Sequence, residues 1–94
     1  MTPLPTIVVT GASTGIGEAI ARRLDQTGYR VIAAVRKPED AARLSAAASD
    51  RLSTVILDVT SADQIATAAR EVESRVGDRG LAGLVNNAGV AIGG

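Results

Sequence analysis

The sequence predicts an α/β fold in which a parallel β-sheet carries helices on both faces. Three observations predict it. Short apolar runs alternate with segments of helical period along the 94 residues. The runs are apolar at consecutive positions, as in strands buried on both faces. A glycine-rich turn joins the first run to the first helical segment.

The elements follow in order. Ile7-Val8-Val9 is a β-branched run that ends in Thr10-Gly11, the first strand. Ile16, Ile20 and Leu24 recur every four residues and share one helical face, with Gly28 as the terminator. Val31-Ile32-Ala33-Ala34-Val35 is the second strand. Pro38 suits the first turn of a helix, and Glu39 and Asp40 suit its N-terminus. That Ala-rich helix runs to about Ser49 with Leu44 as its anchor. Val55-Ile56-Leu57, closed by Asp58, is the third strand. Ser61 and Gln64 have the spacing of a capping box. Ile65, Ala69, Val72 and Val76 then line one face of the third helix, and Gly77, Gly80 and Gly83 mark its exit. Leu84-Val85 is a short fourth strand leading into Asn86-Asn87-Ala88-Gly89. The order is βαβαβαβ. Right-handed crossovers then restrict the strand order to 3-2-1-4, half of a Rossmann-like, three-layer doubly wound domain. Residues 1–94 form one unit of it.

Composition narrows the function. Ten basic and ten acidic residues balance, so the basic footprint of a nucleic-acid binder is missing. No apolar run is long enough for a membrane span. Met1-Thr2-Pro3-Leu4-Pro5 lacks the layout of a signal peptide. The absence of Cys and His leaves no disulfide, thiolate, His base or zinc set. These features fit a cytoplasmic protein. With one Tyr and no Phe or Trp, the core has to be aliphatic.

Gly11, Gly15 and Gly17 stand between the first strand and the first helix. A sharp turn favours Gly11. Approach of a pyrophosphate to the helix N-terminus favours Gly15, and close helix–sheet packing favours Gly17. Ser13 and Thr14 add hydroxyl donors. The competing reading is a turn that only connects two elements. The strand before the turn and the periodic helix after it support dinucleotide binding. A P-loop needs Gly-Lys-Ser/Thr, and the chain's only Lys is Lys37.

The pattern T-G-x-x-x-G-x-G at Thr10–Gly17, with Asn86-Asn87-Ala88-Gly89 after the fourth strand, resembles the short-chain dehydrogenase/reductase family over essentially the whole chain. The resemblance implies hydride transfer between a nicotinamide and a small-molecule alcohol or ketone. It implies cofactor contacts from Gly11, Ser13, Thr14, Gly15, Ile16 and Gly17. Asp58 would bond the adenine amino group, with Val59 beside the ring. Asn86, Ala88 and Gly89 would lie under the ribose, with Asn87 mainly structural. Asp58 also reads as a turn residue ahead of Ser61, and both roles are compatible. The stretch Gly28–Leu44 resembles steroid- and retinol-type members.

The end of the second strand distinguishes NAD from NADP. An acidic residue there binds a ribose 2′-OH and repels a phosphate. Val35 holds that position, followed by Arg36 and Lys37. The expectation is NADP, with Arg36 on the 2′-phosphate, and NAD as the alternative. An ordinary solvated strand end is the competing reading. Thr14 departs from the basic residue that many NADP-using members carry.

The resemblance also implies a catalytic Tyr, a Lys four residues later and a Ser. Here Tyr29 is the only Tyr, and Ala33 stands four residues on. No catalytic residue and no metal ligand is expected in the chain. It reads as the N-terminal cofactor half of a longer reductase, truncated before a fifth strand and inactive alone. The alternatives are a non-catalytic dinucleotide-binding module and an inactive fragment. An uncovered Leu84–Asn86 edge predicts self-association or a homo-oligomer.

Overall fold

The computed structural model describes residues 5–12, 15–58, 60–77 and 83–86. Its elements are β1 (Thr6–Thr10), α1 (Gly15–Gln26), β2 (Arg30–Val35), α2 (Pro38–Ala47), β3 (Leu52–Ile56), α3 (Ala62–Val76) and β4 (Gly83–Asn86). The four strands are all parallel and lie in the order β3-β2-β1-β4. This is the Rossmann-like α/β arrangement that the alternating pattern predicts.

The sheet separates two aliphatic cores. Val9, Val31, Ala33, Val35 and Leu52 face α1 and α2, where Ala21 and Leu44 meet them. Val8, Ile32, Ala34 and Val55 face α3, where Ala68 and Val76 meet them. Successive residues of β2 point to opposite faces and all of Val31–Val35 are buried, which explains the unbroken apolar run. The chain moves outward from β1 to β3 with helices on one face. It then crosses back through α3 on the other face to lay β4 against β1. The direction therefore reverses between β2 and β4, around β1. In open α/β sheets, that is where a crevice opens outside the carboxyl ends of the strands.

Several boundaries differ from those expected. β3 begins at Leu52 and ends at Ile56, so Leu57 lies beyond it. β3 is an edge strand, and its exposed Ser53 interrupts the apolar run that marks a strand in sequence. α2 stops at Ala47, two residues before Ser49. Gly83 belongs to β4, paired with Ile7, and is not part of a helix exit. In α3 the seated row is Ala68, half-buried Val72 and Val76. Ala69 is exposed and Ile65 retains 46% of its surface. The small side chain of Ala68 lets the helix approach the sheet closely and leaves Ile65 at the rim. The Ser61 hydroxyl accepts from the Gln64 N–H at 3.3 Å, as in a capping box. The Gln64 side-chain oxygen Oε1, however, accepts from the N–H of Asp58 at 2.8 Å, and the Ser61 N–H donates to the Asp58 main-chain carbonyl. None of the described helices is long and apolar enough to cross a membrane.

Candidate cofactor site

The carboxyl ends of β1, β2 and β3 bring three turns to one edge of the sheet. The first follows β1. Gly11 has φ +64°, a left-handed conformation in which a side chain is strained. The next N–H, that of Ala12, donates to the carbonyl of Ala34 at 3.0 Å. The turn is thereby tied to the end of β2. Gly15 then opens α1, and Gly17 is buried in its first turn. A Cβ built on Gly15 meets nothing within 4 Å. Nothing described in the protein requires glycine there, and the space before the helix N-terminus is open. The N–H groups of a first helical turn have no acceptor within the helix, and with the positive end of the dipole they suit such a space to an anion. Ile16 lies beside it with 71% of its surface exposed.

The second turn follows β2. Val35 is fully buried among the α1–α2 core residues. The strand end therefore offers no carboxylate, and the exposed Arg36 and Lys37 come next. Lys37 occupies the N-cap position of α2, with Pro38 as the first helical residue. Its carbonyl accepts from the N–H groups of Asp40 and Ala41 at 3.1 and 3.2 Å.

The third turn follows β3. One carboxylate oxygen of Asp58 accepts from the Thr60 N–H at 2.9 Å and the Thr60 hydroxyl at 2.6 Å. These bonds, helped by the charge of Arg36, hold the Asp58 carboxyl below its ordinary pKa against a smaller desolvation effect. Asp58 thus organises the entry to α3. The charge of Arg36 reaches it from the end of β2, so the second and third turns share one edge of the sheet.

β4 closes the site from the other side. Thr10 pairs with Asn86 in register, and the Thr10 hydroxyl donates to the Val85 carbonyl at 3.4 Å. The first residue of the glycine motif is thus joined to the strand that carries the asparagine motif. Ser13, Thr14, Val59, Asn87, Ala88 and Gly89 lie outside the described residues, and only the backbone of Asn86 is described.

Sequence patterns did not single out a charged pair at the same edge. Glu18, in the first turn of α1, pairs with Arg43 of α2 at 2.6 Å. The two are 25 positions apart, so no local pattern announces the contact. Tyr29 packs against the α1–α2 core at the amino end of β2, the opposite end of the sheet from the three turns.

A family model described as short chain dehydrogenase matches residues 5–94. The chain is 51% identical over 84 residues to 17-beta-hydroxysteroid dehydrogenase type 6 of Rattus norvegicus, covering 89% of this chain and 26% of that protein. It is 49% identical over 86 residues to retinol dehydrogenase 7 of the same organism, covering 92% of this chain and 27% of that protein. Among solved structures, it resembles a short-chain dehydrogenase from Streptomyces avermitilis with TM-score 0.75 and 38% identity, over 82% of this chain and 28% of the other. The chain spans about a quarter of the length of the curated relatives it matches.

Proposed function

The chain belongs to the short-chain dehydrogenase family, and from that premise we propose that it is the cofactor-binding part of an NADP-dependent oxidoreductase. Membership implies a nicotinamide dinucleotide, which when bound gives or takes a hydride. The remaining work falls to this chain's own residues. The Gly11–Gly17 turn and the N-terminus of α1 hold the pyrophosphate. Gly15 keeps the approach clear. Arg36 meets the 2′-phosphate with a planar fork suited to it, and Asp58 bonds the adenine amino group. The observation that carries the NADP reading is the strand end itself, with Val35 turned inward and Arg36 exposed. The hydroxysteroid and retinol dehydrogenases among the relatives support a bulky apolar alcohol, or its carbonyl product, as the substrate class.

Titration calorimetry with NADPH and NADH tests the reading. Tighter binding of NADPH is expected, and equal or weaker binding of NADPH overturns the assignment. Tyr29 favours a second reading, a dinucleotide-binding module without turnover. It lies at the far end of the sheet, and Ala33, not Lys, stands four residues on. NADPH binding with no NADPH oxidation in the presence of aldehydes and ketones is the result this second reading expects.

A further inference from the structure

The Glu18 side chain is only 20% exposed, in the first turn of the helix that receives the pyrophosphate. Its carboxylate meets Arg43 at 2.6 Å and Arg22 at 3.9 Å. The other nitrogen of the Arg43 fork lies 3.6 Å from Asp40, in the first turn of α2. Arg43 therefore bridges the opening turns of two helices that begin at the same edge of the sheet. The turn bearing Arg36 and Lys37 is bonded directly into the second of them through the Lys37 carbonyl. Among the described residues these pairs join two carboxylates and two guanidiniums, and their charges balance only while Arg43 is present.

We propose that Arg43 is a specificity-determining residue of the cofactor site. By pairing with Glu18 and Asp40, and together with Arg22 balancing their charge, it keeps the edge beside Arg36 positive enough to accept a phosphate on the adenosine ribose. This rests on the NADP reading. Glu18 favours the dipole of α1, but an uncompensated carboxylate there adds a repulsion that a nucleotide with a second phosphate on its ribose meets more strongly than one without it. Such repulsion between partly exposed charges amounts to a few-fold change in affinity and weakens with salt.

The test compares adenosine 2′,5′-bisphosphate with adenosine 5′-monophosphate by calorimetry at low salt, so the readout is a ratio of affinities. Arg43→Gln is expected to lower the ratio about two- to fivefold. Glu18→Gln, which removes a negative charge, is expected to raise it. The double variant is expected to return within about twofold of the unaltered chain. A merely structural role predicts that each of these changes lowers binding of both nucleotides alike. If Arg43→Gln does not fold, the sign of the Glu18→Gln effect still decides. An unchanged ratio in Arg43→Gln, or a fall in Glu18→Gln, overturns the proposal alone. A ratio near one in the unaltered chain overturns the NADP reading and this proposal with it.

Discussion

The carboxylate of Asp25 accepts hydrogen bonds from both the backbone N–H and the hydroxyl of Ser49, which pins the end of α1 to the turn between α2 and β3. Asp25 is 4% exposed. Arg51 completes the joint, donating to the Asp25 carbonyl at 2.7 Å, while its Nε is buried without a described partner. Burial pushes the Asp25 pKa up, but the two Ser49 bonds and the Arg51 charge outweigh it and leave the pKa below its ordinary value. Asp25→Ala is expected to cost about 2–3 kcal/mol by urea denaturation and Ser49→Ala about 1 kcal/mol.

The same joint sets an acid limit. A depressed carboxyl pKa adds stability that is complete above the unfolded value, about pH 4. That stability is lost as pH falls through the lower folded value. Asp25→Asn removes the acid-sensitive contribution. Its stability is expected to fall less steeply below about pH 4 than that of the unaltered chain, by urea midpoints across pH.

Gly15 and Gly11 separate a ligand's demand from the fold's. Gly15→Val is expected to melt within about 3 °C of the unaltered chain, because its side chain enters open space. Its NADPH binding is expected to be lost in calorimetry. Gly11→Ala meets the opposite problem, since φ +64° strains a Cβ. A loss of roughly 1 kcal/mol is expected before any ligand is added.

Arg36→Asp should exchange a phosphate partner for a hydroxyl partner. Loss of a charge-assisted contact corresponds to about tenfold weaker NADPH binding or more, with NADH binding maintained or improved. An unchanged preference in a fluorescence titration of both cofactors counts against Arg36 as the 2′-phosphate ligand.

The legible parts of the fold were those written in neighbouring residues. Val31–Val35 reads as a buried strand because both of its faces are covered, and Gly11–Gly17 reads as a turn because its neighbours change period around it. β3 was half legible. Its exposed Ser53 makes an edge strand look like a loop until Val55. The face of α3 was placed correctly at Val72 and Val76 and wrongly in its first half, because Ile65 is more apolar than Ala68 whereas seating on the sheet rewards the smaller side chain. Glu18–Arg43 and Asp25–Ser49 were not legible at all. Each joins elements more than twenty positions apart, and a charged residue on a helix reads as solvated until the partner helix is in place.

Self-association through β4 is expected because Leu84 is 61% exposed and no described strand pairs beyond β4. Light scattering over a concentration series should show dimer formation, reduced by Leu84→Lys. A well-folded monomer at every concentration contradicts it.

At the other border of the sheet, Arg75 donates to the Thr54 carbonyl at 2.9 Å and to the Ser53 hydroxyl at 3.1 Å. In the parallel ladder, Arg51 and Leu57 spend their main-chain groups on β2, so that of Thr54, in the alternate register, points outward. One margin is therefore closed by a guanidinium, and no described strand covers the other. The sheet has a direction of growth: an added strand enters beside β4. If it enters parallel, its carboxyl end arrives next to Asn86, one strand away from Thr10, beside the mouth of the crevice. The uncovered margin thus gives an address, beside the crevice, at which a further strand can deliver side chains.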